Sequence, residues 1–217
     1  MHRTGELYGH FQTMEQQKES ATLGMWIFLA TEILFFGGMF LTYTINRHTY
    51  SAVFAECSKS LDLKLGGFNT VVLIASSLTM AMSVWSAQVG KKKLVTLFLV
   101  LTLLLGSIFL GVKAIEYHAK YEEHHIPGAS FNFEPGSDVA TNAHAQLFFS
   151  LYFAMTGLHA THMVVGAGLL LWLIRESLKG RFTPDYNTPV ENIGLYWHFV
   201  DIVWIYLFPL LYLIDRH

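Results

Sequence analysis

The sequence predicts an all-α protein, a bundle of five helices that cross a membrane. Two features of composition and one of pattern predict it. Hydrophobic residues make up 53% of the 217-residue chain and charged residues only 14%, whereas a soluble domain carries about a quarter charged residues. The missing charge is concentrated in five long apolar runs. A helix needs roughly 20 mostly apolar residues to cross the hydrocarbon core, and each run supplies them.

Residues 1–22 are a polar tail with Arg3, Glu6, Glu15, Lys18 and Glu19. They lack the apolar core and small-residue cleavage site of a signal peptide. Residues 23–45 form the first span, interrupted only by Glu32. The second span, 66–89, holds no charge. The third is uncharged over 94–112, and its helix continues through Lys113 and Glu116 to about residue 118. The fourth, 143–174, has no Asp, Glu, Lys or Arg and is long enough to tilt. The fifth, 192–214, contains one acid, Asp201. Residues 23–217 therefore read as one membrane domain. The longest connection carries Pro127-Gly128 and Pro135-Gly136, which are turn signals, and reads as a surface loop.

Basic residues set the orientation. The N-terminal side receives the tail, Lys91-Lys92-Lys93 and the loop with Arg175, Lys179 and Arg181. The opposite side receives an acidic loop with Glu122, Glu123, Glu134 and Asp138, against Arg47, Lys59, Lys64 and Lys120. The expected topology is N-terminus cytoplasmic and C-terminus outside. A net charge of −2 gives no sign of a nucleic-acid partner. Cys57 is the only cysteine, so the chain alone builds no disulfide and no cysteine-ligated zinc or iron–sulfur site.

Ionisable groups at membrane depth are functional candidates, because each costs several kcal/mol unless satisfied. Glu32 lies nine residues into its span, about 13 Å deep at 1.5 Å per residue. It reads either as a proton-relay group or as a polar anchor between helices. His159 and His162 share one face of the fourth helix at i, i+3. They could ligate a metal if His198, Asp201 or Glu32 lay at matching depth, or they could link helices by hydrogen bonds. His198 and Asp201 repeat the spacing, with Trp197 four residues before the acid, so an indole or imidazole N–H could satisfy that carboxyl. Lys113 and Glu116 read as a local ion pair or a snorkelling lysine. Glu191 suits the first turn of the last helix, where negative charge favours the dipole. His124-His125 sits in the acidic loop and is expected in water. The small-residue series Ala75, Thr79, Ser83 reads as a packing face. No phosphate-binding loop, nucleophile elbow or H-E-x-x-H motif is present.

Four blocks carry a specific resemblance: GMWIFLATEILFFGG at 24–38, AIEY at 114–117, FAMTGLHATHMVVG at 153–166 and YWHFVDIVW at 196–204. In this order they resemble subunit III of the haem–copper respiratory oxidases, which use cytochrome c or quinol, in its short five-helix bacterial form. The resemblance implies a subunit of the bacterial inner membrane that flanks subunit I of a proton-pumping terminal oxidase. It implies no redox centre in this chain, with haem and copper in partner subunits, and a bound phospholipid. It implies support of proton uptake and protection of the catalytic subunit. Glu32 corresponds to the family's buried glutamate at the lipid cleft. His159, His162, Glu191, His198 and Asp201 fall on its intramembrane polar positions. Glu116 and Trp197, inside matching blocks, complete the expected polar or lipid-binding set. Seven-helix members have two further N-terminal helices that form one wall of the cleft. Competing readings are the accessory subunit of a nitric oxide reductase, an intramembrane metalloenzyme using His159, His162 and His198, and a transporter, for which no inverted repeat is visible.

Overall fold

The computed structural model describes residues 11, 13–128, 131, 133 and 139–214. Among the described residues there are six helices: α1 (Met14–Thr49), α2 (Ser51–Lys59), α3 (Leu63–Gln88), α4 (Lys92–Glu122), α5 (Val139–Leu178) and α6 (Thr188–Tyr212). All but α2 are long and apolar enough to cross a membrane. Among the described residues there are no strands, only one bridge between Thr183 and Tyr186 in the α5–α6 turn. The helical part of the predicted tail, from Met14 onward, is continuous with α1, because Thr13 accepts a bond from the Gln16 amide and caps the helix there. Residues 1–10 and 12, with Arg3 and Glu6, lie outside the described residues, as do Glu134, Pro135-Gly136 and Asp138.

Short turns hold the spans close. Gly90 (φ 72°) follows α3 and Gly180 (φ 70°) follows α5, both in the left-handed region that ends helices economically with glycine. Asp62 caps α3 by accepting from the Lys64 and Leu65 amides. α6 begins with a proline in its first turn, where the missing N–H does no harm. The sequence reading placed no helix between the first two spans, where α2 sits. Its Phe54 and Cys57 are fully buried, and Ser58 donates to the Leu211 carbonyl at 2.7 Å.

α6 is the axis of the bundle. It packs against α3, α5, α1 and α2, while α4 closes the back by bridging α3 and α5. Within its most apolar stretch α6 is 56% buried, whereas α1 is 11% buried. Trp197 and Trp204 of α6 are the largest fully buried side chains. Trp197 fits because Gly106 and Gly166 face it: a Cβ at Gly106 would lie 2.8 Å from its ring and one at Gly166 3.0 Å. α1 and α3 do not meet. No Cα of one comes within 8 Å of the other among the described residues, so the helices form an arc around α6 that is open on one side.

Candidate functional site

The polar side chains predicted from sequence are gathered in four places along this arc. The first joins α1 to α5. His162 Nε2 lies 3.1 Å from Glu32 Oε2, with both side chains under a fifth exposed. His162 Nδ1 lies 2.9 Å from the Leu158 carbonyl oxygen, which can only accept, so Nδ1 carries a proton. The remaining contact is a hydrogen bond between imidazole and carboxyl that ties α1 to α5.

The second site lies between α5 and α6. His159 Nε2 donates to the Val200 carbonyl oxygen at 3.1 Å. This fixes the tautomer and leaves Nδ1 buried without a partner. His159 and His162, on neighbouring turns, thus diverge: one turns to α6, the other to α1.

The third is on the α3–α6 seam. His198 Nδ1 pairs with Ser77 Oγ at 2.7 Å. Trp197 Nε1 donates to Ser76 Oγ at 2.9 Å. Neither group satisfies Asp201, against expectation. The indole is drawn away into the slot between Gly106 and Gly166, and the imidazole is occupied by Ser77. Both Asp201 oxygens are buried with no hydrogen-bond partner among the described residues. The Ser77 hydroxyl that approaches them is engaged with His198.

The fourth goes beyond what the spacing of its residues predicts. Lys113 does not snorkel. It is 3% exposed, and its Nζ donates to Glu116 Oε2 at 2.8 Å, to Tyr212 at 3.0 Å and to Tyr152 at 3.1 Å. Tyr152 and Tyr212 in turn donate to Glu116 Oε1 at 2.9 and 2.5 Å. The ammonium also sits 5.1 Å from the Trp204 ring centre. Both charges are therefore met from α4, α5 and α6 at once, the condition under which a buried ion pair is tolerated. Only the i, i+3 spacing of Lys113 and Glu116 signalled it; Tyr152 and Tyr212 arrive from distant segments.

Glu191 sits in the first turn of α6, as predicted. It accepts from Gln88 Nε2 at 2.8 Å and lies 3.7 Å from Lys18 Nζ. It ties the ends of α1, α3 and α6 together at the face of the bundle rather than inside it. His125 is another correction: it is 9% exposed and stacks on Phe149 at 4.9 Å, so burial and the nearby Lys120 lower its pKa, against the opposing pull of Glu123. Thr79 and Ser83 face α4, meeting Thr102 and the Val95 carbonyl. Among the described residues no three His, Cys, Asp or Glu side chains are grouped to hold a metal ion.

Each network contains a residue of one of the four sequence blocks, and the family model described as cytochrome c oxidase subunit III matches residues 1–215. The chain belongs to the cytochrome c oxidase subunit III family. Among subunit III relatives it is 31% identical over 193 residues to the probable cytochrome c oxidase subunit 3 of Nocardia farcinica, covering 89% of this chain and 87% of that protein. It is 31% identical over 205 residues to the quinol oxidase subunit 3 of Bacillus subtilis, covering 92% and 91%. It is also 31% identical over 219 residues to the cytochrome c oxidase subunit 3 of Loxodonta africana, covering 97% of this chain and 75% of that protein. Subunit III membership and five apolar helices make this an integral membrane component of an oxidase complex.

Proposed function

We propose that this chain is the non-catalytic third subunit of a proton-pumping terminal oxidase that reduces O₂ to water. It flanks subunit I, binds phospholipid and supports proton uptake, while haem and copper reside in partner subunits. The observation that carries this is the Glu32–His162 hydrogen bond, set in the lightly buried α1 where it packs on α5. It gives a carboxyl in the first span a partner on another helix, and no third ligand for a metal joins it among the described residues. His159, His162 and His198 turn to three different partners, which argues against their forming one metal site. His159, Trp197, His198, Asp201 and Glu116 serve as interhelical anchors, and Glu191 fastens the end of the bundle.

The same reading makes residues 1–22 a cytoplasmic tail and residues 23–217 one domain of the bacterial inner membrane, with spans at about 23–45, 66–89, 94–118, 143–174 and 192–214 and the C-terminus outside. Burial of Lys120 supports this, because one of the cations on the outer side is withdrawn from the surface. Relatives named for both cytochrome c and quinol are equally similar, so the electron donor is left to experiment. The test is purification of the complex through this chain in mild detergent, with a visible spectrum and oxygen uptake on cytochrome c and on quinol. Haem and copper should be found in the partners. A pure partner with nitric oxide reductase activity, or stoichiometric metal in the separated chain, would overturn the proposal.

A further inference from the structure

The open side of the arc exposes a stripe of α6 that carries one polar side chain, His198, among apolar ones. Ile202, Ile205 and Tyr206 are 53%, 45% and 64% exposed, and His198 lies on the same stripe one turn before Ile202. His198 borders three recesses. One, of about 260 Å³, runs toward α3 past Ser77 and Asp201; a second, of about 410 Å³, runs toward Gln88 and Glu191; the third, of about 460 Å³, runs toward α1 past Gly37. With Nδ1 held by Ser77, the His198 Nε2 makes no hydrogen bond among the described residues.

His198 is the eleventh residue of α6, about 15 Å along it, which is hydrocarbon depth. Acyl chains offer nothing to hydrogen-bond there, and headgroups lie at the helix ends. Each wall has a small residue among larger apolar ones: a Cβ at Gly37 would meet nothing within 4 Å, and Ala81 borders the α3 side. Small residues on both walls are what lets another helix backbone approach closely in a membrane. We propose that the sector between α1 and α3, floored by the His198 stripe of α6, seats a transmembrane helix of another oxidase subunit that carries a hydrogen-bonding side chain opposite His198. The proposal rests on the oxidase-subunit reading above and adds the face and the contact.

The test uses the complex purified through this chain in mild detergent. The photo-cross-linker p-benzoylphenylalanine is placed at Ile202 in the opening, or at Leu104, which is 55% exposed on α4 away from it. Irradiation of the Ile202 variant should join this chain to an oxidase subunit, identified by mass spectrometry; the Leu104 variant should give no such adduct. His198→Leu should shed that subunit about threefold more readily, the factor that corresponds to an average interhelical hydrogen bond in a bilayer, and His198→Gln less so. With the complex intact, adducts at Ile202 only to lipid, quinone or a second copy of this chain overturn the docking face, as does an oxidase adduct from Leu104 alone. If no oxidase subunit co-purifies at all, the oxidase reading itself fails, and this one with it.

Discussion

Replacing Glu116 by leucine strands a lysine ammonium that is 3% exposed and otherwise meets only two phenol oxygens and aromatic faces. Removing one partner of a buried ion pair costs about 3–5 kcal/mol. For a chain of this length about 1 kcal/mol moves Tm by about 2–4 °C, so Glu116→Leu should lower it by on the order of 10 °C. Lys113→Met is milder, because Tyr152 and Tyr212 still donate to the Glu116 carboxyl; a loss of about 1–3 kcal/mol is expected. The double variant removes both charges and fills their space with apolar atoms, which in other proteins is neutral or better. It should therefore be more stable than Glu116→Leu alone. The measurement is the fraction of the purified complex that stays monodisperse after heating, followed by tryptophan fluorescence on size exclusion. If the double variant falls by the sum of the two singles, the charges are not coupled as the distances require. If Glu116→Leu matches wild type, Lys113 reaches water after all.

Four further outcomes are expected. Gly106→Val should cost about 1–3 kcal/mol by overpacking against Trp197, while Gly111→Val, with nothing within 4 Å of its Cβ, should be neutral in the same heating assay. Asp201→Leu should leave stability unchanged or raise it, since the carboxyl it removes has no hydrogen-bond partner; a clear loss would mean that a partner subunit supplies one. Glu32→Ala should speed the decline of oxygen uptake over many turnovers, and Glu32→Gln less, because the amide keeps a hydrogen bond to His162; loss of initial activity in the assembled Gln variant would instead make Glu32 an obligatory proton carrier. His125, whose pKa is lowered by burial from the usual 6.5, stays neutral in the folded loop while the unfolded loop takes up a proton. Its contribution to stability is thus complete above pH 6.5 and is lost as pH falls through that value, so loop proteolysis should accelerate below about pH 6 and His125→Phe should remove that dependence.

The fold class was open in the sequence because bilayer thickness is a hard ruler, and five apolar runs of the right length leave little else. The motif residues were open too, but their partners were not. Spacing places His159 and His162 on neighbouring turns, yet cannot say that one meets a carbonyl on α6 and the other a carboxyl on α1. Asp201 shows the limit most clearly. Trp197 is its i, i+4 neighbour, but the indole is decided by two glycines on other helices, which local spacing cannot register. Lys113 was misjudged for the same reason: the phenols that make its burial tolerable come 39 and 99 residues later in the chain.

Glu32 and His162 are separated by 130 residues. At roughly 5–20 residues per second of synthesis, about 6–26 s pass between the making of the glutamate and the making of its histidine. During that interval α1 has neither α5 nor α6 to lean on. It is therefore made long before it can find its place, and its acid waits with no mate. Biogenesis of this protein should accordingly depend on whatever shelters α1 at the insertion machinery, and slowing translation between α4 and α5 should be a more effective way to lose the protein than slowing it anywhere after α6 has emerged.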